Sequence, residues 1–280
     1  MRFRRRKPRA LAPASKRGDE VAVAPRRRGI YLLPNLFTTA ALFAGFFAIV
    51  QAMNKNFEWA AIAIFVAMVL DGMDGRVARL TNTQSAFGEQ YDSLSDMTSF
   101  GVAPALVMYE WILHDLGRWG WAAAFVYCAG AALRLARFNA NLGVVDKRFF
   151  QGLPSPAAAA MVAGFVWLAV DNKFPIKDVW MPWVAFTITV YAGLTMVSNA
   201  PFYSGKSFHV ARSVPFWVMV AIVVLIFLVS SDPPVVLFGL FCCYALSGYL
   251  YQAYRWTKGE ANPAKPVPVA ASPTPPTKAG

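Results

Sequence analysis

Apolar segments of about twenty residues recur from Leu32 to the neighbourhood of Tyr254, the length needed to cross a hydrocarbon core roughly 30 Å thick. Most of them are apolar all round, whereas a helix on the surface of a soluble domain keeps a polar face at helical period. The pattern predicts an all-α, polytopic transmembrane helical bundle. Eight spans are expected, near residues 31–53, 59–79, 91–113, 119–139, 157–170, 180–199, 215–230 and 235–255. Pro34 suits the opening turn of the first span, where its missing N–H is not needed.

The basic residues set the expected orientation. Eleven of the 27 fall in the first 28 positions, so the net charge of +12 belongs largely to a tail. Such a tail fits an anionic membrane leaflet better than a nucleic-acid surface. With eight spans and both ends inside, the cytoplasmic segments carry 23 basic residues and the outer loops four: Lys55, Arg118, Lys173 and Lys177. That imbalance predicts an N-in, C-in protein. Residues 1–28 read as a basic disordered tail, 29–256 as the transmembrane domain, and 257–280 as a Pro/Ala-rich disordered tail. An arginine-rich stretch precedes the first apolar run, so no cleavable leader is expected. Cys128, Cys242 and Cys243 lie inside predicted spans and are odd in number, which argues against a disulfide framework.

Four aspartates interrupt this apolar pattern. Asp71 and Asp74 lie three apart near the inner end of the second span, and Asp92 and Asp96 lie four apart at the start of the third. Each pair projects from one face of a helix, and two antiparallel helices with a short connector bring the faces together. Carboxylates at membrane depth are costly and point to function. Their repulsion is relieved by protonation, by arginines or by divalent cations, and Arg76 and Arg79 are too few to neutralise the cluster and also serve a substrate. Oxygen-only ligands favour Mg²⁺ or Mn²⁺ over zinc. A pair of such ions about 4 Å apart is the arrangement used for displacement at phosphorus. Gly72, Gly75 and Gly88 surround the acids. Each weakens a helix by about 1 kcal/mol relative to alanine, which suggests either close approach of a ligand or close helix packing.

The run Asp71-Gly72-x-Asp74-Gly75-x-x-Ala78-Arg79, then eight residues, then Gly88-x-x-x-Asp92-x-x-x-Asp96, resembles the signature of the CDP-alcohol phosphotransferase family at every fixed position. Within that family the chain is similar to the bacterial branch whose acceptor alcohol is L-serine. This similarity rests on PNLFTTAALFAGF, DSLSDMTSFGVAPA, RLARFN, GLPSPAAA and SNAPFYSGK, and covers roughly residues 28–255. It implies transfer of a phosphatidyl group from CDP-diacylglycerol to the serine hydroxyl, giving phosphatidylserine and CMP. The implied setting is the cytoplasmic face of a bacterial inner membrane, and the implied assembly a homodimer. Asp71, Asp74, Asp92 and Asp96 would hold Mg²⁺ or Mn²⁺, two ions per site, with Asp96 also placed as general base.

The resemblance further implies CDP contacts from Asn35, Thr38, Asp71, Gly75, Arg79 and Gly88. For Asn35 and Thr38 an interhelical hydrogen bond is the competing reading. Serine has a carboxylate that must be held before its hydroxyl can be aligned. Arg134 and Arg137 would form a clamp with Asn139 on the amine, unless the arginines only snorkel at a helix end. Lys206 is a candidate for the lipid phosphate. No Ser or Cys beside a His suggests a covalent intermediate, so direct transfer is expected. His114 and His209 read as interfacial, and Tyr31, Trp111, Trp180 and Trp256 as an aromatic belt. Two alternatives stay open: another acceptor, glycerol 3-phosphate or inositol phosphate, and a cation transporter, against which the one-sided acids and absent repeats argue.

Overall fold

The computed structural model describes residues 32–81, 85–140, 149–171, 179–203 and 216–258. The predicted N-terminal tail, nearly all of the C-terminal one, Lys206 and His209 lie outside the described residues. The fold is all-α. In order come α1 (Leu32–Met53), α2 (Phe57–Leu80), α3 (Ala86–Asp96), α4 (Ala103–Trp111), α5 (Arg118–Ala140), α6 (Ser155–Asp171), α7 (Met181–Val197), α8 (Phe216–Ser231) and α9 (Pro233–Thr257). A π-helical stretch, Met97–Val102, joins α3 to α4 without a break. The two together occupy the third expected segment, and the other seven helices each fall on one of the rest.

The third segment begins earlier than its apolar pattern predicts, at Ala86 instead of Tyr91. Ser85 causes this: its extended backbone and side chain cap the helix by accepting from the Gly88 N–H at 3.0 Å, so polar residues before the apolar run become helical. Two three-residue strands, β1 (Phe149–Gln151) and β2 (Pro201–Tyr203), pair antiparallel. Apolar periodicity does not anticipate strands this short. Gly152 follows β1 with φ 76°, where a side chain would be strained and would meet the Met196 carbonyl. Its N–H donates to Ala200 O at 3.0 Å, and the Leu153 N–H to Thr195 O at 3.1 Å. The ribbon thereby ties the start of α6 to the end of α7.

Small residues fill the interior. Ala44, Ala48 and Ala52 repeat along α1 and share one core with Ala60, Ile64 and Ala67 of α2, while α6 buries Ala157 through Ala160. Bulky apolar side chains such as Phe43, Phe46, Trp59, Val69, Phe125 and Leu133 point outward. A water-soluble core reverses that distribution. Small residues inside and large apolar ones outside suit a bundle whose surroundings are themselves apolar, where close backbone approach holds helices together. Pro34–Met53 and Pro233–Thr257 are long and apolar enough to cross a membrane, and α6, α7 and α8 are shorter apolar helices. Trp180 and Trp256 are exposed as expected of a belt, but Trp111 is 6% exposed and packs edge-on against Phe165. It is a core residue, because α4 lies against α6 at that level. Cys128, Cys242 and Cys243 are free thiols.

Candidate active site

The four acids converge because α2 ends and α3 begins on the same side of a short connection. One oxygen from each of Asp71, Asp74 and Asp92 lies within 4.8 Å of the others. Asp96 stands outside this trio, beside Asp71 and within electrostatic reach of Arg134. It closes α3 just before the π-helical turn. Single π-helical turns inside α-helices recur at functional sites.

Hydroxyl groups fasten α1 against this corner. Thr38 Oγ1 lies 2.9 Å from Asp74 Oδ2 and 3.2 Å from its own helix's Pro34 O. The nearer acceptor, on a carboxyl group, is the better one for its single proton. Ser95 and Ser99, one turn apart, donate to Thr38 O at 3.2 Å and Ala41 O at 3.1 Å. Gly45 makes this contact possible, since a Cβ there would collide with Ser99. Thr39 Oγ1 and the Tyr91 hydroxyl lie 2.9 Å apart. From α5, the fully buried Tyr127 donates to Phe100 O at 2.9 Å, satisfying a carbonyl of the π-helical turn. Ser95 and Ser99 fall within the stretch DSLSDMTSFGVAPA, but the sequence does not single out their roles or that of Tyr127, because each acts through a carbonyl on a distant segment.

A cavity of about 140 Å³ opens beside the trio, lined by Pro34, Asn35, Thr38, Asp74, Gly75, Ala78, Ser85, Gly88, Glu89 and Asp92. Four of the six expected CDP contacts, Asn35, Thr38, Gly75 and Gly88, are therefore on its wall. Asp71 does not line the cavity but meets Asp74 and Asp92, which do. Arg79 is exposed on α2 and folds back so that Nε donates to Gly75 O at 2.8 Å. A Cβ added at Gly72 or Gly75 would meet nothing within 4 Å, so packing does not require either glycine. Gly88 differs: a Cβ there would press on Ser85 Oγ at 3.2 Å and Asn35 Oδ1 at 3.4 Å. Ser85 and Glu89 line the cavity without having been singled out in the sequence; the capping pattern of Ser85 was the available signal.

The three described residues expected around serine, Arg134, Arg137 and Asn139, have separate partners. Arg134 is 9% exposed and donates through Nη1 to Ser155 Oγ at 2.6 Å, its only hydrogen bond among the described residues. Arg137 is spent on main chain and amide oxygens. Its Nη1 donates to Val197 O at 3.0 Å and Asn199 Oδ1 at 3.1 Å, and Nη2 reaches Gln151 O at 3.0 Å, Ser198 O at 3.2 Å and Met196 O at 3.3 Å. The expected two-arginine clamp is thus not formed, because the end of α7 and strand β1 occupy one fork. Asn139 Nδ2 donates to Ser93 Oγ at 3.1 Å, linking α5 to α3. His114 is exposed, against Tyr109 O and Asp115, as an interfacial histidine would be.

The acids suit a hard cation. Their donors are all carboxylate oxygens, and Asp92 Oδ1 and Asp96 Oδ1 are buried without a hydrogen-bond partner among the described residues. Buried acceptors left so are costly, and a divalent ion is the partner that oxygen-only donors satisfy.

The comparisons with known proteins agree with this geometry. The model of the CDP-alcohol phosphatidyltransferase family matches residues 31–245. A CDP-diacylglycerol–serine O-phosphatidyltransferase of Helicobacter pylori is 37% identical over 223 residues, 79% of this chain and 92% of that protein. One of the same name from Mycobacterium leprae is 34% identical over 209 residues, 72% of this chain and 68% of that protein. The chain belongs to the CDP-alcohol phosphatidyltransferase family.

Proposed function

We propose that this chain transfers the phosphatidyl group of CDP-diacylglycerol to the hydroxyl of L-serine, releasing CMP. The observation that carries the proposal is the meeting of Asp71, Asp74 and Asp92 beside an open cavity, in a family member aligned over most of its length with relatives named for that reaction. Asp71, Asp74 and Asp92 would hold Mg²⁺ or Mn²⁺, with Asp96 at the edge of the set. When bound, the ions supply positive charge against the diphosphate and polarise its phosphorus.

The chain's own groups do the rest. Asn35, Thr38, Gly75 and Gly88 receive CDP in the cavity, and Gly75 keeps its wall low enough for the nucleotide to approach the main chain. Thr38 holds Asp74 in the orientation that faces the other acids. Asp96 accepts the proton of the serine hydroxyl as its oxygen attacks the lipid-side phosphorus and the bond to CMP breaks. Base catalysis of this kind contributes about 10²- to 10⁴-fold. Arg134 meets the serine carboxylate with the donors that Ser155 leaves open. Asn139 takes a supporting role, bridging α5 to Ser93 between the two catalytic-side aspartates.

The same reading sets the protein in a bacterial inner membrane as eight spans, N-in and C-in, with the acids at the cytoplasmic face. Its support is the distribution of basic residues and the outward-facing bulky apolar side chains. CMP release by the purified protein in detergent, with CDP-diacylglycerol and a panel of alcohols, tests the activity. Release is expected with L-serine, to stop with EDTA and to return with Mg²⁺ or Mn²⁺. Equal or greater release with glycerol 3-phosphate or inositol phosphate would overturn the serine assignment.

A further inference from the structure

Arg134 is a buried guanidinium with one hydrogen bond among the described residues, from Nη1 to Ser155 Oγ at 2.6 Å. Ser155 is wholly buried and opens α6. No carboxylate among the described residues lies within ion-pair distance of Arg134, although Asp96 and Asp71 act on it electrostatically. A guanidinium has five N–H donors in a rigid fork, and burial of that charge is costly until the fork is filled. Three residues along, Arg137 has its two terminal nitrogens directed at five acceptors. The two arginines stand on one helix with the same chemistry, and of the two only Arg134 keeps a terminal nitrogen, Nη2, without a hydrogen-bond partner among the described residues.

We infer that Ser155 is a positioning residue for the acceptor: by taking one Nη1 proton it turns the remaining fork of Arg134 toward the carboxylate of the incoming amino acid. The inference rests on the proposed use of serine and adds a residue outside the acidic motif to it. Ser155 is well placed for the task because the main chain just before it is fixed. The Gly152 and Leu153 N–H groups are tied to Ala200 O and Thr195 O, and Arg137 fastens the neighbouring Gln151 carbonyl. An arginine fork swings about several bonds, and a hydroxyl anchored to a rigid turn removes that freedom before the acceptor arrives. Ser155 itself touches no substrate in this scheme.

Steady-state CMP release with Ser155→Ala, Ser155→Cys and Ser155→Thr, titrating L-serine and CDP-diacylglycerol separately, tests the inference. Loss of a hydrogen bond to a charged group predicts a KM for L-serine raised about tenfold in the Ala and Cys variants. The KM for CDP-diacylglycerol should stay at its wild-type value. Ser155→Thr, which keeps the hydroxyl, should restore the serine KM to within about threefold. In an Arg134→Lys background, Ser155→Ala should add no further loss, since the fork is already gone.

A folded Ser155→Ala protein with an unchanged serine KM would overturn the inference while leaving the serine reading intact. So would a raised KM that Arg134→Lys does not share. Wild-type protein that releases CMP without dependence on serine would overturn both, so the two failures are told apart by the wild-type control. Should Ser155→Ala not fold, the same comparison between the Cys and Thr variants decides the question, as they differ in the strength of the acceptor offered to Nη1.

Discussion

Toward α1 the aspartate cluster meets hydroxyls and open space, whereas toward α5 and α6 it meets a buried cation. On the first side Thr38 donates to Asp74, and the cavity wall is made of Asn35, Gly75, Gly88 and Ser85. On the second, Asp96 sits within reach of an Arg134 that is 9% exposed and anchored on Ser155. Room without fixed positive charge suits a ligand that arrives with its own diphosphate and is met by metal ions. A buried, oriented guanidinium suits a small anion of defined geometry. In the proposed reaction the first side would receive the nucleotide lipid and the second the acceptor, with Asp96, the proposed base, on the acceptor side.

The strongest way to break that comparison is to remove the charge of Asp96. Asp96→Asn is expected to lower kcat by about 10²-fold or more while binding of CDP-diacylglycerol persists. Full turnover by that variant would leave the acceptor side without a chemical role. Asp92→Asn should act differently, raising the Mg²⁺ or Mn²⁺ concentration for half-maximal activity by more than about tenfold. A metal titration in which Asp92→Asn and Asp96→Asn shift alike would erase the division between them.

The paired arginines sharpen the contrast at the next level. Arg137→Ala is expected to cost about 3 kcal/mol of stability, since several carbonyls at the end of α7 lose a charged donor; thermal melting in detergent would read the loss. Arg134→Lys keeps the charge but loses the fork, so it should raise the serine KM about tenfold with little change in melting temperature. Reversed outcomes would mean that Arg137, not Arg134, serves the substrate. The smallest expected effect is at Gly72, where an added methyl meets nothing within 4 Å. Gly72→Ala should stabilise α2 by about 0.5–1 kcal/mol, and a destabilised variant would point to an occupant at that face.

Much of the fold was legible because apolar run length is a local property. All eight apolar segments expected from the sequence coincide with helix. The acids were equally legible, since spacings of three and four put Asp71 with Asp74, and Asp92 with Asp96, on shared helix faces. What was not legible concerns partners far along the chain. The early start of α3 depended on one capping serine, and the burial of Trp111 on the packing of Phe165. α6 and α8 read alike as uninterrupted apolar helices, yet α6 is almost wholly buried and α8 buries no residue.

The sequence by itself determined the helical segments and the two acidic faces, because run length and 3.6-residue periodicity are settled within one or two turns. Only the tertiary structure decided which of two arginines three residues apart keeps a terminal nitrogen without a partner among the described residues, and which serine it meets. Those outcomes depend on carbonyls and hydroxyls brought from α6, α7 and strand β1. A side chain's hydrogen-bond partners are set by whatever the fold carries to within about 3 Å of it, and no pattern along the chain encodes that distance.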